Sequence, residues 1–335
     1  MIDCRVGVTA DARHTKIYRY RKTIDPPTVM LLYTYKPPKK THNTMYQSNT
    51  SNNRIDSNSN DATEIEPTKA SQPEGRTSHN EDDSSIHDFD FALICEYFAS
   101  IDRQGPGSDE ATRRALSFVP NIDACSRIAD IGCGTGSSTL LLAADTGAHV
   151  TAIDLFPQFL TRLSERAKAA GVYERITTAA ASMDALDYAE ASFDLLWCEG
   201  AIYNIGFENG LRSWRPMLKD GGYIAVTDAT WLTDRRPAEV ETFWHDAYPG
   251  ITDIAGNIAA IQRCGYTPVA AFVLPDKCWT TNFYEPQRQA QDIFLSRYGD
   301  DKTAQALVAN QRHEAEIFSR FHQHYGYAFY IARKS

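Results

Sequence analysis

A glycine-rich turn, DIGCGTG, is the feature that most restricts what this chain can fold into. The apolar run from Arg127 to Ile131 leads directly into Gly132, and a helical pattern opens at Ser137. A glycine turn between a strand and a helix lies at the carboxyl edge of a parallel sheet, where a ligand can approach the backbone closely. The glycines alone are weak support for a ligand site, because glycines also form ordinary tight turns.

Strand and helix patterns alternate along the chain after this turn. The helical SSTLLLAADTG is followed by the strand HVTAIDL, the helical PQFLTRLSERAKAAG and the strand RITTAAASM. Further strands are FDLLWCEG, GGYIAVTDATWL, TPVAAFVLP and the terminal YGYAFYIARK. Such alternation builds parallel βαβ units. With RIADI, it predicts an α/β fold, a Rossmann-like sheet of seven strands with helices on both faces.

The composition divides the chain into two parts. Residues 1–85 include a long polar stretch rich in Ser, Asn, Thr and Asp, and we expect them to be a disordered or poorly ordered extension. From residue 86 the composition becomes aromatic and aliphatic, so the folded domain is predicted over residues 86–335. Two stretches near 233–257 and 279–322 are longer than ordinary connections and are predicted to form a small helical cap. The second stretch has helical patterns from about Glu285 to Tyr298 and from about Lys302 to His322.

Overall charge and cysteine usage narrow the partners and the compartment. The formal net charge is -9, which gives no general attraction to nucleic acid. The seven cysteines lack paired CxxC spacing, so we expect a reduced, cytoplasmic protein without a metal. No stretch approaches the ~20 apolar residues of a membrane span, so no membrane partner is expected. Whether the protein forms a homodimer is left open.

The spacing of the glycines points away from a dinucleotide site. Ser137 stands where the third glycine of G-x-G-x-x-G would be. DIGCGTG instead resembles motif I of the class I S-adenosylmethionine-dependent methyltransferases. The resemblance implies that Asp130 engages the ammonium of the methionine portion and that the turn faces the cofactor. The turn residues assigned to the cofactor are Gly132, Cys133, Gly134 and Gly136.

Three further strand ends extend this resemblance. HVTAIDL ends in Asp154, whose carboxylate can accept hydrogen bonds from both ribose hydroxyls, and Leu155 follows it. The family pattern implies that Asp184 accepts from the adenine amino group, with Met183 against the ring. It also implies that the fourth strand ends beside the methionine portion. The residues there are Glu199 and Gly200.

The resemblance covers roughly residues 86–334. It implies an antiparallel last strand, S-adenosylmethionine as cofactor, and methyl transfer to a small-molecule acceptor. The overall pattern loosely resembles the group that contains the ubiquinone and menaquinone methyltransferases, over the cofactor half, and does not identify the acceptor. Two alternatives are kept, a non-catalytic S-adenosylmethionine-binding module and a nicotinamide-dependent oxidoreductase. The oxidoreductase would need a third glycine at position 137 and a second mononucleotide half.

A loop before the first strand, RQGPGS, resembles a lid element of bacterial small-molecule methyltransferases. In that interpretation Tyr97 closes over the cofactor, and Arg103 neutralises the carboxylate of the cofactor or of the acceptor. In the alternative interpretation Arg103 pairs with a surface acid and the glycines only turn the chain.

The acceptor side carries several candidate residues. Tyr203 is a candidate catalytic residue near the methyl group and Asn204 could orient the acceptor, although both could simply cap a helix. His245 is a candidate general base. Aromatic side chains of the two cap stretches are candidate walls of the acceptor pocket, although aromatics more often pack in a core. These are Trp231, Trp279 and Tyr284.

Overall fold

The structure is a computed structural model and describes residues 91–335, with the side chain of Phe91 left out. The predicted extension over residues 1–85 lies outside the described residues. The domain boundary at residue 86 therefore stays a prediction.

The described chain alternates strands and helices from Arg127 onward. The strands are β1 (Arg127–Ile131), β2 (His149–Asp154), β3 (Ile176–Ala180), β4 (Phe193–Cys198), β5 (Leu218–Trp231), β6 (Thr252–Asp253), β7 (Tyr266–Val273) and β8 (Tyr325–Lys334). The helices are α1 (Phe91–Ala99), α2 (Asp109–Leu116), α3 (Ser137–Thr146), α4 (Pro157–Ala169), α5 (Phe207–Trp214), α6 (Ala238–Ala247), α7 (Ile254–Arg263), α8 (Glu285–Tyr298) and α9 (Lys302–Phe321).

The strands form one sheet with the order β3-β2-β1-β4-β5-β8-β7. The strands from β1 to β5 pair in parallel, whereas β8 runs antiparallel to both β5 and β7. The chain first moves outward from β1 to β3 and then returns to β4 beside β1. A reversal of this kind opens a crevice at the carboxyl ends of β1 and β4, where open α/β sheets bind ligands. The predicted sheet and its antiparallel last strand are confirmed.

One strand was not predicted. The two-residue β6 pairs in parallel with Thr230 and Trp231 at the end of β5. Two residues are too short to produce a hydrophobic period, so the sequence carries no signal for this strand.

Both faces of the sheet are buried. Ile128, Leu195 and Phe329 pack in one hydrophobic cluster with Leu142 of α3. Their neighbours along the same strands face the other way, because side chains alternate across a strand. These neighbours pack in a second cluster with α5 and α7; they include Ala129, Leu196, Tyr330, Leu211 and Ala260. The predicted helices on both faces are therefore present.

Several helices begin at residues that cap their free N–H groups. The Ser108 hydroxyl accepts from the Ala111 N–H at the start of α2, and Asp301 accepts from Thr303 and Ala304 at the start of α9.

The two helices between β7 and β8 agree closely with the sequence pattern over 279–322. Within residues 91–335, no helix has both the length and the apolar character needed to cross a bilayer.

Candidate active site

The glycine turn connects the ends of three strands. Gly132, Gly134 and Gly136 have φ values of +74°, +55° and +91°, a region that disfavours other residues. The N–H groups of Gly132 and Cys133 donate to the Ile153 carbonyl of β2 at 2.8 and 3.0 Å. A Cβ placed on Gly132 would lie 2.5 Å from the Cβ of Ala201, which follows β4. The turn therefore lies where β1, β2 and β4 meet.

Asp130 lies fully buried in β1 just before this turn. Its Oδ2 accepts hydrogen bonds from Ser138 at 2.9 Å and Thr139 at 2.6 Å. Its Oδ1 is buried and has no hydrogen-bond partner within the described part of the chain. Burial raises the pKa of Asp130 to about 7, and the two hydroxyl groups oppose that rise. A buried carboxylate oxygen without a donor is suited to an ammonium group or to a bridging water.

Asp154 ends β2 and faces the same turn. Its Oδ2 accepts from the Gly134 N–H at 2.9 Å, and its Oδ1 accepts from the Phe156 N–H at 3.0 Å. Each carboxylate oxygen has a second lone pair that can accept from a ligand hydroxyl. Burial raises the pKa of Asp154 to about 6. The adjacent Leu155 keeps 40% of its surface exposed, which leaves an apolar face beside the carboxylate.

Met183 and Asp184 lie in the loop after β3. The Met183 carbonyl accepts from the Trp214 indole N–H at 2.8 Å, which fixes this loop to α5. A Cβ on Gly132 would be 3.1 Å from the Met183 Cε, so Met183 borders the glycine turn. Asp184 is exposed and accepts a hydrogen bond from the Ser182 hydroxyl.

Glu199 follows β4 and receives three side-chain donors. It accepts from the Thr112 hydroxyl at 2.7 Å and from the Trp197 indole N–H at 2.9 Å, and Arg103 lies 3.5 Å away. Arg103 also pairs with the exposed Asp109 at 2.8 Å. The next residue, Gly200, donates its N–H to the Thr227 hydroxyl at 2.7 Å. Arg103 is thus paired within the chain, to one partly buried and one exposed acid.

The RQGPGS loop packs directly on the glycine turn through Gln104, a residue that the sequence analysis missed. The Gln104 Oε1 accepts from the Thr135 N–H at 2.8 Å, and its Nε2 donates to the carbonyls of Phe98 and Ile101 at 3.0 and 2.8 Å. A Cβ on Gly134 would be 2.2 Å from that Oε1. The motif resemblance drew attention to the arginine and glycines of this loop and gave no role to the glutamine.

Comparisons with known proteins agree with this geometry. Residues 128–222 match the protein family described as "Methyltransferase domain". Methyltransferase GfsG of Streptomyces halstedii is 27% identical over 232 residues, which are 63% of this chain and 77% of that protein. The 27-O-demethylrifamycin SV methyltransferase of Amycolatopsis mediterranei is 30% identical over 137 residues, which are 40% of this chain and 50% of that protein.

A solved structure shares the fold. It is the S-adenosylmethionine-dependent methyltransferase from Geobacter sulfurreducens in complex with S-adenosylhomocysteine. The TM-score is 0.63 at 19% sequence identity, and the match covers 73% of this chain and 98% of that one. The chain is a methyltransferase with the fold of the class I S-adenosylmethionine-dependent enzymes. These matches favour a methyltransferase over the nicotinamide-dependent alternative.

The predicted acceptor residues of this methyltransferase form two groups. Trp279 and Tyr284 lie together, with ring centroids 6.1 Å apart, and Trp279 stacks on Phe318 at 4.6 Å. Tyr203 is only partly buried and faces Tyr248 at 6.1 Å. Trp231 contacts Arg236 and Tyr325, and Tyr325 links it to Trp279. The structure thus brings Trp279 and Tyr284 together directly.

Asn204 and Tyr97 make contacts that also support the fold. The Asn204 amide donates to the Ala201 carbonyl at 2.9 Å, which closes a short helical turn after β4. Tyr97 is fully buried, and its hydroxyl donates to Gln287 of α8 at 2.8 Å. Tyr97 thereby links α1 to α8, and its closing over the cofactor stays a prediction.

His245 lies apart from the buried groups described above. It is in the last turn of α6 and is exposed, whereas its neighbour Trp244 is buried. In a helix, adjacent residues point about 100° apart, so burial of Trp244 directs His245 toward solvent. We do not assign His245 a role as a general base.

A cavity of about 810 Å³ lies beside the RQGPGS loop. Arg103, Arg166 and Lys277 contribute its positive charges, and Ser137 at the start of α3 also lines it. The Lys277 ammonium pairs with Glu110, and Arg166 donates to the carbonyls of Asp102 and Thr135. Its cationic side chains are therefore already paired within the chain.

Proposed function

We propose that this methyltransferase transfers the methyl group of S-adenosylmethionine to a small-molecule acceptor at the carboxyl edge of the sheet. The observation that carries the proposal is the buried, unpartnered Oδ1 of Asp130 next to the glycine turn. A buried polar atom without a partner costs about 1–3 kcal/mol, so a ligand that supplies a donor gains affinity there. The ammonium of the methionine portion supplies such a donor.

Each remaining part of the cofactor has a matching residue in the proposal. The Asp154 carboxylate accepts from the ribose hydroxyls, and Met183 and Leu155 flank the adenine, whose amino group donates to Asp184. Glu199 and Gly200 border the methionine portion. Arg103 acts by holding Glu199 in place, because the structure pairs these two side chains.

The sulfonium of the cofactor supplies an activated methyl group, so the protein itself contributes by positioning the reacting groups and excluding water. The RQGPGS loop contacts the glycine turn through Gln104 and covers the Thr135 N–H. A loop in this place limits access of water and holds the reacting groups in line. Tyr203, next to the end of β4, is proposed to orient the acceptor through its hydroxyl.

The proposal extends to the partners of the enzyme. The net charge of -9 disfavours a nucleic-acid acceptor. The name of the second relative, a demethylrifamycin methyltransferase, supports a small-molecule acceptor, although the chain covers only half of that protein. We also propose that the enzyme works in the cytoplasm, and sedimentation of the full chain will show whether it forms a homodimer.

Calorimetric titration of the full chain with S-adenosylmethionine and, separately, with NAD tests the proposal. We expect micromolar binding of S-adenosylmethionine and none of NAD. Asp154→Ala should weaken binding by about 1.5–3 kcal/mol, because it removes charged hydrogen bonds. Asp187→Ala is a matched control, since Asp187 is exposed in the loop after β3. Unchanged affinity in Asp154→Ala would contradict the assignment.

Turnover distinguishes an enzyme from a binding module. Formation of S-adenosylhomocysteine is measured with alcohol, phenol, amine and thiol acceptors. Tight cofactor binding without product from any of these classes would favour the non-catalytic alternative.

A further inference from the structure

Glu314 is a carboxylate without a cationic partner among the described residues. It lies in α9 and is partly buried, and its Oε1 accepts a hydrogen bond from the Tyr284 hydroxyl at 3.1 Å. Its neighbours Arg312 and Glu316 form ion pairs with Asp292 and Arg320, but none of the ion pairs within residues 91–335 includes Glu314. Burial raises the pKa of Glu314 to about 7, and the Tyr284 hydrogen bond lowers it.

Tyr284 belongs to a group of buried or partly buried tyrosines that we call the tyrosine cluster: Tyr203, Tyr284, Tyr325 and Tyr327. Burial raises the pKa of each hydroxyl, and the negative charge of Glu314 adds to the effect at all four. Trp279 completes the aromatic surface, with its ring centroid 4.8 Å from Tyr327 and 6.0 Å from Tyr325. The Tyr284 hydrogen bond therefore joins the carboxylate to aromatic rings from β8 and from the segment after β7.

Tyr327 connects the tyrosine cluster to the cofactor side. A Cβ placed on Gly200 would lie 3.6 Å from the Tyr327 Cε2 and 3.9 Å from the Cα of Gly105. Gly200 borders the methionine portion in the proposed function, and Gly105 belongs to the RQGPGS loop. The tyrosine cluster is thus next to the place where the methyl group is expected.

The chemistry of this arrangement matches one class of ligand. Aromatic faces attract cations, and a desolvated carboxylate is stable only when a positive charge is paired with it. We propose that the tyrosine cluster and Glu314 form the acceptor site, and that the acceptor is an amine whose ammonium pairs with Glu314. This inference rests on the proposed function.

The transfer step follows from this pairing. The ammonium gives one proton to the Glu314 carboxylate, which leaves a nitrogen lone pair. That lone pair forms the new N–C bond to the methyl group while the C–S bond breaks, and its electron pair stays on sulfur. The products are the methylated ammonium and S-adenosylhomocysteine. A carboxyl group whose pKa is about 7 can accept and release this proton near neutral pH.

Other charged groups near α9 and the cluster are already engaged. Arg312 donates to Gln291 of α8 at 2.9 Å, and the His313 ring packs against Phe243. On β5, Asp228 accepts from the Tyr248 hydroxyl at 3.2 Å.

The test uses the full chain saturated with S-adenosylhomocysteine and two probes of the same shape. Choline carries a quaternary ammonium, and 3,3-dimethylbutan-1-ol is its neutral isostere. We expect choline to bind at least about tenfold more tightly, because only choline carries a charge that pairs with the Glu314 carboxylate. Glu314→Gln should abolish that preference. The control Glu316→Gln, in the same helix but exposed, should retain it.

The pH dependence of choline affinity distinguishes direct pairing with Glu314 from a purely structural role of this residue. Choline affinity should rise roughly tenfold between pH 6 and pH 8, because Glu314 must be ionised to pair with it. Tyr284→Phe should move the midpoint upward, because it removes the hydrogen bond that lowers the pKa of Glu314. This variant keeps the test available if Glu314→Gln does not fold.

The outcomes separate this inference from the function on which it rests. Equal binding of the two probes, no binding of choline, or a preference that persists in Glu314→Gln would overturn the amine site while leaving cofactor binding intact. Failure of the wild-type chain to bind S-adenosylhomocysteine would instead overturn the proposed function.

Discussion

At the scale of single residues, Gly134 combines backbone strain with a direct contact. Its φ is +55°, and a Cβ there would be 2.2 Å from the Gln104 Oε1. Gly171 has a φ of +71° but no atom within 4 Å of a Cβ. Alanine at position 171 therefore measures the backbone cost alone, about 1–2 kcal/mol. Alanine at position 134 adds displacement of Gln104 from the glycine turn.

We expect Gly134→Ala to lower the free energy of unfolding by about 2–4 kcal/mol, more than Gly171→Ala does. Gly134→Ala should also weaken binding of S-adenosylmethionine at least tenfold, whereas Gly171→Ala should bind normally. Urea unfolding and calorimetry measure the two effects. Equal losses in both variants would show that Gln104 does not hold the turn.

The raised pKa of the buried Asp228 carboxyl group leads to a prediction of how stability changes with pH. Burial raises its pKa to about 8, above the value of about 3.9 in an unfolded chain. The folded state therefore holds the Asp228 proton more tightly than the unfolded state does. The resulting contribution to the free energy of unfolding is complete below about pH 4 and is lost as the pH rises to about 8. The slope reaches at most about 1.4 kcal/mol per pH unit.

Asp228→Asn should remove this contribution, because an amide does not titrate in that range. The variant should gain stability relative to wild type as the pH increases from 5 to 8. Asp130 and Asp154 also have raised pKa values, so part of the wild-type slope should persist in the variant. The free energy of unfolding of the wild type and of the variant is measured at both pH values. A difference between the two proteins that does not change with pH would contradict the prediction.

At the scale of elements, the RQGPGS loop is held on the glycine turn by one side chain. Gln104 accepts from the Thr135 N–H and donates to two carbonyls near the end of α1. Gln104→Ala leaves that amide without its partner and should cost about 1–3 kcal/mol of stability. Hydrogen exchange of the Thr135 amide should accelerate, and cofactor affinity should fall. Unaltered exchange would mean that the loop stays in place without Gln104.

The sequence predicts elements well where their hydrophobic period is long. The pattern indicates a helix from Glu285 to Tyr298, and α8 has those bounds; the predicted helix from Lys302 to His322 corresponds to α9. The glycine turn is predictable because positive φ restricts the residue type. Contacts between distant segments are not. Neither the hydrogen bond from Gln104 to the turn nor the position of Glu314 among tyrosines leaves a periodic signal, since each depends on how separate elements meet.

At the scale of the whole molecule, every strand of the sheet lies between Arg127 and Lys334, and α1 begins at Phe91. The cofactor residues of the proposal all fall within this range. We therefore predict that a chain beginning at Ile86 folds and binds S-adenosylhomocysteine within about twofold of the full chain. Ligand at 100 times its Kd should stabilise both chains by about 2.7 kcal/mol, because only the folded state binds it.

Thermal unfolding of the two chains with and without S-adenosylhomocysteine measures this linkage. Equal ligand-induced shifts in Tm place cofactor binding within residues 86–335, since a segment that contributes to the site would make the shift larger in the full chain. A shorter chain that folds but shows no shift would assign part of the cofactor site to residues 1–85. That result would contradict the domain boundary, while the sheet order and the glycine turn would be unaffected.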